Sequence, residues 1–484
     1  MTAASESSAP TVRISSGVIR GVALEGIDRF LGIPYAAAPV GENRFELPQP
    51  HEGWKGVREA TEFGPTAPQA PYNGGIENVL PSIIIEGDEF LNLNVWAPKN
   101  AFDLPVMVWV HGGALSRGSN SLDGYDGTSF ARDGVVFVSI NYRLGAEGFS
   151  VLPDAPLNLG LADVHAALRW VQAEIAQFGG DPEQVTVFGQ SAGGNLIAAL
   201  LAHRDARSLV ARAIVQSGPL TARPAKTAGK ISRLMAKDLG IPATRAGFSS
   251  VSPATLLASQ LRVTAGSTPI TGGPSFALAI GGQLIPSNPE LDLAQGDADD
   301  IGLVIGATTE EYRLWFVPTG LLTTVTPLFQ RLARLKFGVS RRIIAPYSHN
   351  RPNAGPGELV GALATDILLR LPLNRLADKR LARRSPTWVY EFAWRSPVQD
   401  LGAAHAVELG FVFDRLNAAD SVGIAGADAP QSIAQEMHAA WVRFAKTGNP
   451  GWEAWNEKRP VRMFGAEDAV VYAPREDERS IWKR

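Results

Sequence analysis

The sequence contains no cysteine among its 484 residues, which excludes disulfide bonds and thiolate metal sites. No apolar run approaches the roughly 18 residues of a membrane-spanning helix, and no N-x-[ST] glycosylation sequon occurs. The first ten residues, MTAASESSAP, contain neither a basic segment nor a hydrophobic stretch, so no secretory signal is expected. Together these absences favour a cytoplasmic location.

An excess of charge of one sign is also missing. Lys and Arg number 45 against 48 Asp and Glu, which leaves a net charge of −3 and a pI of about 6.2. This balance gives no reason to expect nucleic acid or an anionic membrane as a partner. The 45% hydrophobic content describes a globular protein with an ample core.

Short apolar runs predict a mostly parallel sheet. Continuous runs of this kind are typical of strands that are covered on both faces, and they occur at 105–110, 135–141, 185–189, 211–216, 301–306 and 387–394. Helical patterns at 159–178 and 430–447 alternate with them, which indicates an α/β fold with helices on both faces. Alternating segments at 11–33 and 90–97 predict antiparallel strands toward a sheet edge.

The chain is interpreted as one domain over residues 1–484, since no repeat, low-complexity tract or flexible linker is present. Residues 220–300 and 313–385 contain helical segments interrupted by Gly, Pro and Ser, with a Pro/Gly/Asn loop expected at 345–357. These two segments are predicted to be helical insertions.

The segment Gly189-Gln190-Ser191-Ala192-Gly193 matches G-x-S-x-G between a predicted strand and a predicted helix. A turn this sharp strains the serine backbone and lifts the hydroxyl above the sheet. Glycine is expected at 189 and 193, where a Cβ would collide with the neighbouring strand and helix. Taken alone, the pentapeptide is equally compatible with an ordinary glycine-rich turn.

A serine nucleophile requires a base and an acid that orients the base. His405 follows the strand at 387–394 and so lies at the carboxyl end of the sheet, where ligands bind in such folds. The other six histidines lie at positions 51, 111, 165, 203, 349 and 438. Those at 165, 203 and 438 are expected on helices, and the one at 349 is expected in a proline-rich surface loop. Glu310 and Glu311 follow the 301–306 strand at the same end, and the residue pattern alone does not separate them. The chain order serine, acid, histidine is that of α/β-hydrolases.

Donors for a developing oxyanion are expected in His111-Gly112-Gly113-Ala114, which follows the 105–110 strand. Small residues there let backbone N–H groups approach a substrate, and the N–H of Ala192 would complete the set. No G-x-G-x-x-G or H-E-x-x-H spacing occurs, so neither a dinucleotide cofactor nor a metal ion is expected.

Eight ordered blocks extend this pattern over residues 12–465. They are FLGIPYAAAPVGENRFELPQP at 30–50, LNLNVWAP at 91–98, VMVWVHGGALSRGS at 106–119, NYRLGAEGF at 141–149, NLGLADVHAALRWVQAEIAQFGGDPEQVTVFGQSAGG at 158–194, VQSGP at 215–219, GAAHAVEL at 402–409 and WVRFAKTGNP at 441–450. In these blocks the chain closely resembles the type-B carboxylesterase family, which includes bacterial para-nitrobenzyl esterases and the cholinesterases. The resemblance implies an α/β-hydrolase fold and cofactor-independent hydrolysis of small-molecule carboxylic esters.

The resemblance also implies specific site residues. The catalytic triad would be Ser191, Glu311 and His405, and the oxyanion hole would be Gly113, Ala114 and Ala192. Within the pair of glutamates, Glu311 is favoured because the family's acid falls five residues after the position of Gly306.

Several positions depart from the family pattern. Ala67 and Phe90 occupy the places of a cysteine pair, Gln190 replaces a common glutamate, and the acidic segment is TTEEY instead of the usual DEG. The loop has GGA, a form that in the family is associated with room for bulky alcohol groups. Two alternatives to ester hydrolysis remain: carbamate or amide hydrolysis in the same site, and a catalytically inactive binding relative, against which the presence of all three triad residues argues.

Overall fold

A computed structural model describes residues 9–267, 272–336, 338–467 and 469–482. Its strands are Thr11–Ile14 (β1), Gly17–Arg20 (β2), Val22–Leu24 (β3), Ile27–Pro34 (β4), Val57–Glu59 (β5), Asn92–Pro98 (β6), Leu104–Val110 (β7), Val136–Ile140 (β8), Gly180–Gln190 (β9), Arg212–Gln216 (β10), Arg223–Pro224 (β11), Ala279–Ile280 (β12), Gly302–Thr308 (β13), Thr387–Phe392 (β14), Pro460–Phe464 (β15) and Val470–Tyr472 (β16).

The helices lie mainly between these strands. They are Thr128–Arg132 (α1), Gly145–Phe149 (α2), Leu159–Glu174 (α3), Ala192–Leu201 (α4), Ala206–Leu209 (α5), Ala225–Ala228 (α6), Lys230–Leu239 (α7), Arg245–Ser249 (α8), Pro253–Val263 (α9), Pro289–Gln295 (α10), Arg313–Phe316 (α11), Leu321–Thr324 (α12), Pro327–Lys336 (α13), Arg341–Asn350 (α14), Pro356–Thr365 (α15), Leu371–Ala382 (α16), Leu409–Val412 (α17), Ala419–Ala425 (α18), Gln431–Thr447 (α19) and Glu476–Ser480 (α20). No helix in this described part of the chain combines the length and apolarity required to span a bilayer.

Eleven strands form the main sheet in the order β16-β15-β14-β13-β10-β9-β7-β8-β6-β4-β3. The seven strands from β15 to β8 run parallel, and antiparallel pairing occurs at both edges. The predicted parallel centre and the antiparallel edge at β3 and β4 are confirmed. In contrast, β1, β2 and β5 form a separate three-stranded sheet in that order.

Side chains of the central strands alternate between two buried layers. On β7, Val106, Val108 and Val110 belong to one apolar cluster, while Met107 and Trp109 belong to another. The first cluster includes apolar residues of α3 and α4, and the second includes residues of α1, α17 and α19. Because successive residues of a strand face opposite sides, continuous apolar runs are what a doubly covered sheet requires.

The prediction of a loop at 345–357 is wrong for residues 345–350. Helix α14 continues through Pro346 to Asn350, so His349 lies in its last turn. The side chain of Ser340 caps the helix by accepting the N–H of Ile343, and the burial of Ile344 and Tyr347 stabilises a helix that the proline alone would disfavour. His203 was expected on a helix but lies just beyond the end of α4.

Candidate active site

Ser191 lies between β9 and α4 in a strained backbone conformation. Its φ and ψ are 57° and −119°, a region that non-glycine residues rarely adopt. A Cβ at Gly193 would come within 2.0 Å of the carbonyl oxygen of Val110, and a Cβ at Gly189 within 2.6 Å of the same atom. The predicted need for glycine at both positions is therefore confirmed, and the strained strand-to-helix turn at Ser191 is the elbow expected from G-x-S-x-G.

His405 and Glu311 form a buried pair at the same edge of the sheet. The Nδ1 of His405 is hydrogen-bonded to Oε2 of Glu311, and the two side chains are 6% and 2% exposed. The other carboxylate oxygen, Oε1, accepts the hydroxyl of Ser217 at 2.6 Å and the N–H of Thr308 at 2.7 Å. Three donors thus hold the carboxylate in one orientation, which in turn orients the imidazole ring.

The second nitrogen of His405 faces the elbow. The amide Nε2 of Gln190, the residue before Ser191, lies 3.0 Å from Nε2 of His405. An amide nitrogen can only donate, so His405 Nε2 accepts this bond while Nδ1–H is donated to Glu311. Ser191 Oγ makes no hydrogen bond to any residue that the structure describes.

Glu310 points away from the imidazole. Its carboxylate pairs with Arg395, lies 3.9 Å from Arg313 and accepts the N–H of Ala403 at 3.0 Å. Residues 309–312 form a turn just after β13. The turn, instead of a strand pleat, sends the two carboxylates to different partners.

Three backbone N–H groups near Ser191 have no hydrogen-bond acceptor among the described residues: those of Gly113, Ala114 and Ala192. Gly113 and Ala114 have φ values of 115° and 54°, and a Cβ on Gly113 would lie 2.0 Å from the carbonyl oxygen of Arg117. A Cβ at Gly112 would sit 3.2 Å from the Cβ of Ser191. The loop therefore packs directly against the elbow with free donors.

His111 supports this loop without carrying charge. Its Nδ1 is 2.8 Å from the carbonyl oxygen of Gly112, and its ring stacks on Tyr142 with centroids 4.4 Å apart. Burial lowers the pKa of His111 to about 4, so the ring is neutral at pH 7. Gln69 adds two hydrogen bonds, since its amide donates to and accepts from the backbone of Gly118.

The structure brings further residues to the site that the sequence did not single out. Trp315 packs against His405 with ring centroids 4.9 Å apart and ring planes tilted by 37°, and the hydroxyl of Ser217 donates to Glu311. Glu408 is fully buried. Burial, followed by the charge of Glu311, raises the pKa of Glu408 to about 7. The quoted VQSGP block contained Ser217, but no spacing rule linked that serine to a distant glutamate.

A possible metal-binding group lies elsewhere. Within the described ranges, His165, His203 and Asp205 are the residues whose ligand atoms come within 4.8 Å of one another. They lie near the far end of α4 from Ser191, about 15 Å along a ten-residue helix. Arg204 already pairs with Asp205 at 3.7 Å. Burial, and to a lesser extent the charges of His203 and Arg169, lowers the pKa of His165. A dication there would face two existing cations.

The sheet, the strained elbow and the loop of free N–H groups together define an α/β-hydrolase with a serine at its nucleophile elbow. The sequence matches the model of the Carboxylesterase family over residues 8–463. It is 34% identical over 481 residues to para-nitrobenzyl esterase of Bacillus subtilis (strain 168), covering 96% of both chains. It is also 34% identical over 482 residues to phenmedipham hydrolase of Pseudarthrobacter oxydans, covering 96% of this chain and 94% of that protein.

Solved structures agree. The Geobacillus stearothermophilus carboxylesterase EST55 superposes with a TM-score of 0.87 at 34% identity, covering 98% of this chain and all of that one. The protein belongs to the carboxylesterase family and is a carboxylic ester hydrolase.

Proposed function

We propose that the protein hydrolyses small-molecule carboxylic esters through a covalent acyl-enzyme formed on Ser191. The observation that carries this proposal is the buried pair of His405 and Glu311 beside a serine whose backbone is strained into an elbow. Backbone strain of this kind persists only where the surrounding contacts enforce it, and such positions cluster at active sites. An inactive binding relative would have no need of the full arrangement.

In the first half-reaction, His405 Nε2 takes the proton of Ser191 as the serine oxygen attacks the ester carbonyl carbon. For this step the imidazole must leave Gln190, its present partner. The protonated ring then donates its proton to the departing alcohol, and the carbon–oxygen bond to that alcohol breaks. Water repeats the sequence on the acyl-enzyme and releases the carboxylic acid, so the enzyme returns unchanged.

Two groups of residues stabilise this reaction in our proposal. Glu311 keeps the proton on Nδ1 of His405 and stabilises the imidazolium by its negative charge. The N–H groups of Gly113, Ala114 and Ala192 would donate hydrogen bonds to the negatively charged oxygen of the tetrahedral intermediate. Support comes from their lack of any acceptor in the described part of the chain.

Labelling with an organophosphonate probe followed by peptide mass spectrometry tests the nucleophile. We expect the label on Ser191 alone, and no label on the Ser191→Ala variant, whose kcat should fall by roughly 10⁴–10⁶ while circular dichroism stays unchanged. Ser217→Ala is the matched control, because it removes a second buried hydroxyl of the site but should still be labelled. Near-normal turnover by Ser191→Ala would overturn the proposal.

A panel of para-nitrophenyl esters, carbamates and amides of graded size defines the reaction type. Esters should be cleaved with the highest kcat/KM, since the nitrogen lone pair of a carbamate or an amide makes its carbonyl carbon less electrophilic than that of an ester. Carbamates or amides that outperform the matched esters would replace ester hydrolysis by the alternative chemistry in the same site.

A further inference from the structure

Helix α13, Pro327–Lys336, directs apolar side chains toward solvent. Leu328, Phe329, Leu332 and Leu335 are 67%, 54%, 56% and 70% exposed, which makes four of the twelve large exposed apolar residues in the described part of the chain. Positions 328, 332 and 335 follow one another at helical spacing and form a single stripe. Among the positions of α13 whose side chains the structure describes, the more sheltered ones are the polar Gln330 and Arg334. At these positions the usual orientation of an amphipathic helix on a globular protein is reversed.

The surrounding segment is strongly basic. Residues 312–357 contain six arginines and one lysine but no aspartate or glutamate, in a chain whose net charge is −3. Two of these arginines are paired inside the fold: Arg313 with Asp400 and Arg351 with Glu478. The other four arginines form no ion pair with a described residue; they are Arg331, Arg334, Arg341 and Arg342.

We propose that α13 and the start of α14 form a docking surface for an anionic lipid bilayer. An outward apolar stripe flanked by unpaired arginines is the arrangement with which amphipathic helices lie in the headgroup region. The apolar side chains would enter the acyl boundary, and the arginines would contact anionic headgroups. This proposal is independent of the catalytic one, because none of these residues belongs to the candidate active site.

Charge selects this occupant over the others. A second copy of the chain docked face to face would bring two sets of unpaired arginines together without acidic partners. Nucleic acid would satisfy the arginines but offers no apolar layer for three leucines. An anionic bilayer satisfies both features of the surface at once.

Cosedimentation of the full-length protein with vesicles tests the proposal. We expect binding to phosphatidylcholine vesicles that contain about 30 mol% phosphatidylglycerol, little binding to pure phosphatidylcholine, and weakening of the interaction as salt rises. Replacing Leu328, Leu332 and Leu335 by serine should lower the partition coefficient by roughly 100-fold. Arg341→Gln with Arg342→Gln should lower it by roughly 10–30-fold.

The matched control replaces three scattered exposed apolar residues, Phe102, Leu261 and Leu291, by serine. This control should bind vesicles as the unchanged protein does, and all variants should keep their activity on a water-soluble ester. Equal binding by the leucine triple variant, or no binding to anionic vesicles, would overturn the proposal. If the protein is a dimer in solution and only the leucine substitutions dissociate it, the surface belongs to a second copy instead. If the protein binds DNA and the leucine substitutions leave that binding unchanged, the surface belongs to nucleic acid.

Discussion

Replacing Glu311 by glutamine keeps the side-chain shape but exchanges one acceptor oxygen for an NH₂ group, which can only donate. In the unchanged protein, Oε1 accepts from Ser217 and from the N–H of Thr308, and Oε2 accepts from His405. A glutamine must direct its NH₂ group toward one of these two sides. Each of these three partners donates to the carboxylate, so the NH₂ group meets a donor on either side.

Each orientation of the amide has a definite cost. With NH₂ toward His405, the ring must accept at Nδ1 and hold its proton at Nε2, the tautomer that cannot deprotonate Ser191. With NH₂ toward Thr308, the amide opposes a backbone N–H that cannot rotate, and a buried donor is left unsatisfied. The first orientation places Nε2–H opposite the NH₂ group of Gln190, but that side-chain amide can turn to present its oxygen, whereas the backbone N–H of Thr308 cannot turn. The first orientation should therefore be the one adopted.

We therefore expect Glu311→Gln to lower kcat by on the order of 10²–10⁴, which corresponds to about 3–5 kcal/mol of transition-state stabilisation. Glu310→Gln is the matched control one residue away. Its amide can still accept the N–H of Ala403, so kcat should change by less than about tenfold.

The assay is kcat for a para-nitrophenyl ester at about pH 8, above the ordinary pKa of histidine, with folding checked by circular dichroism. If kcat falls strongly in Glu310→Gln and stays nearly normal in Glu311→Gln, the acid of the triad is Glu310 and not Glu311. In that case Tyr312, which takes the place of a glycine in the family's pattern, would be the first residue to examine.

Three further predictions concern the pKa of Glu408, the room for bulky alcohols beside Ala114 and the effect of a chelator. The pKa of Glu408 is raised from 4.5 to about 7 by burial, so the unfolded chain releases this proton first and stability falls by up to about 3 kcal/mol as pH rises from 4.5 past 7. The free energy of unfolding, measured with denaturant at pH 5 and at pH 8, should fall less between these pH values in Glu408→Gln than in the unchanged protein. A substitution that changes this free energy equally at both pH values would contradict the prediction. A tertiary-alcohol ester such as tert-butyl acetate should be cleaved detectably, because the Ala114 loop resembles family members with room for bulky alcohols; no cleavage beside rapid turnover of the primary-alcohol ester would disprove this. EDTA should leave kcat unchanged, because catalysis is assigned to side chains and backbone donors alone, and a chelator-sensitive rate would count against the mechanism.

Much of the framework followed from local pattern. Strands β7, β8, β9 and β10 begin and end within a few residues of their predicted positions, apart from the early start of β9, because a strand covered on both faces must be apolar at consecutive positions. The elbow was predicted from two glycines whose absent Cβ atoms are a steric requirement. Ala67 and Phe90, where the family has cysteines, are buried apolar residues. The single-domain organisation and the cytoplasmic location stay predictions.

Other features depended on residues far apart in the chain. Gln190 and His405 are 215 residues apart, and Ser217 and Glu311 are 94 apart, yet each pair shares a hydrogen bond. Glu408 gives no sign in the sequence of its raised pKa, which arises from burial beside Glu311. The net charge of −3 gave no sign that residues 312–357 lack any acidic residue, and only the fold showed that Leu328, Leu332 and Leu335 face outward.

The sequence by itself determined the sheet, the elbow and the residue types of the candidate site, because backbone sterics and apolar periodicity act between neighbours along the chain. The tertiary structure decided which glutamate meets the histidine, which amide occupies its second nitrogen and which buried acid keeps its proton. These outcomes depend on hydrogen-bond geometry and desolvation, which are created only when distant strand ends meet at one edge of the sheet.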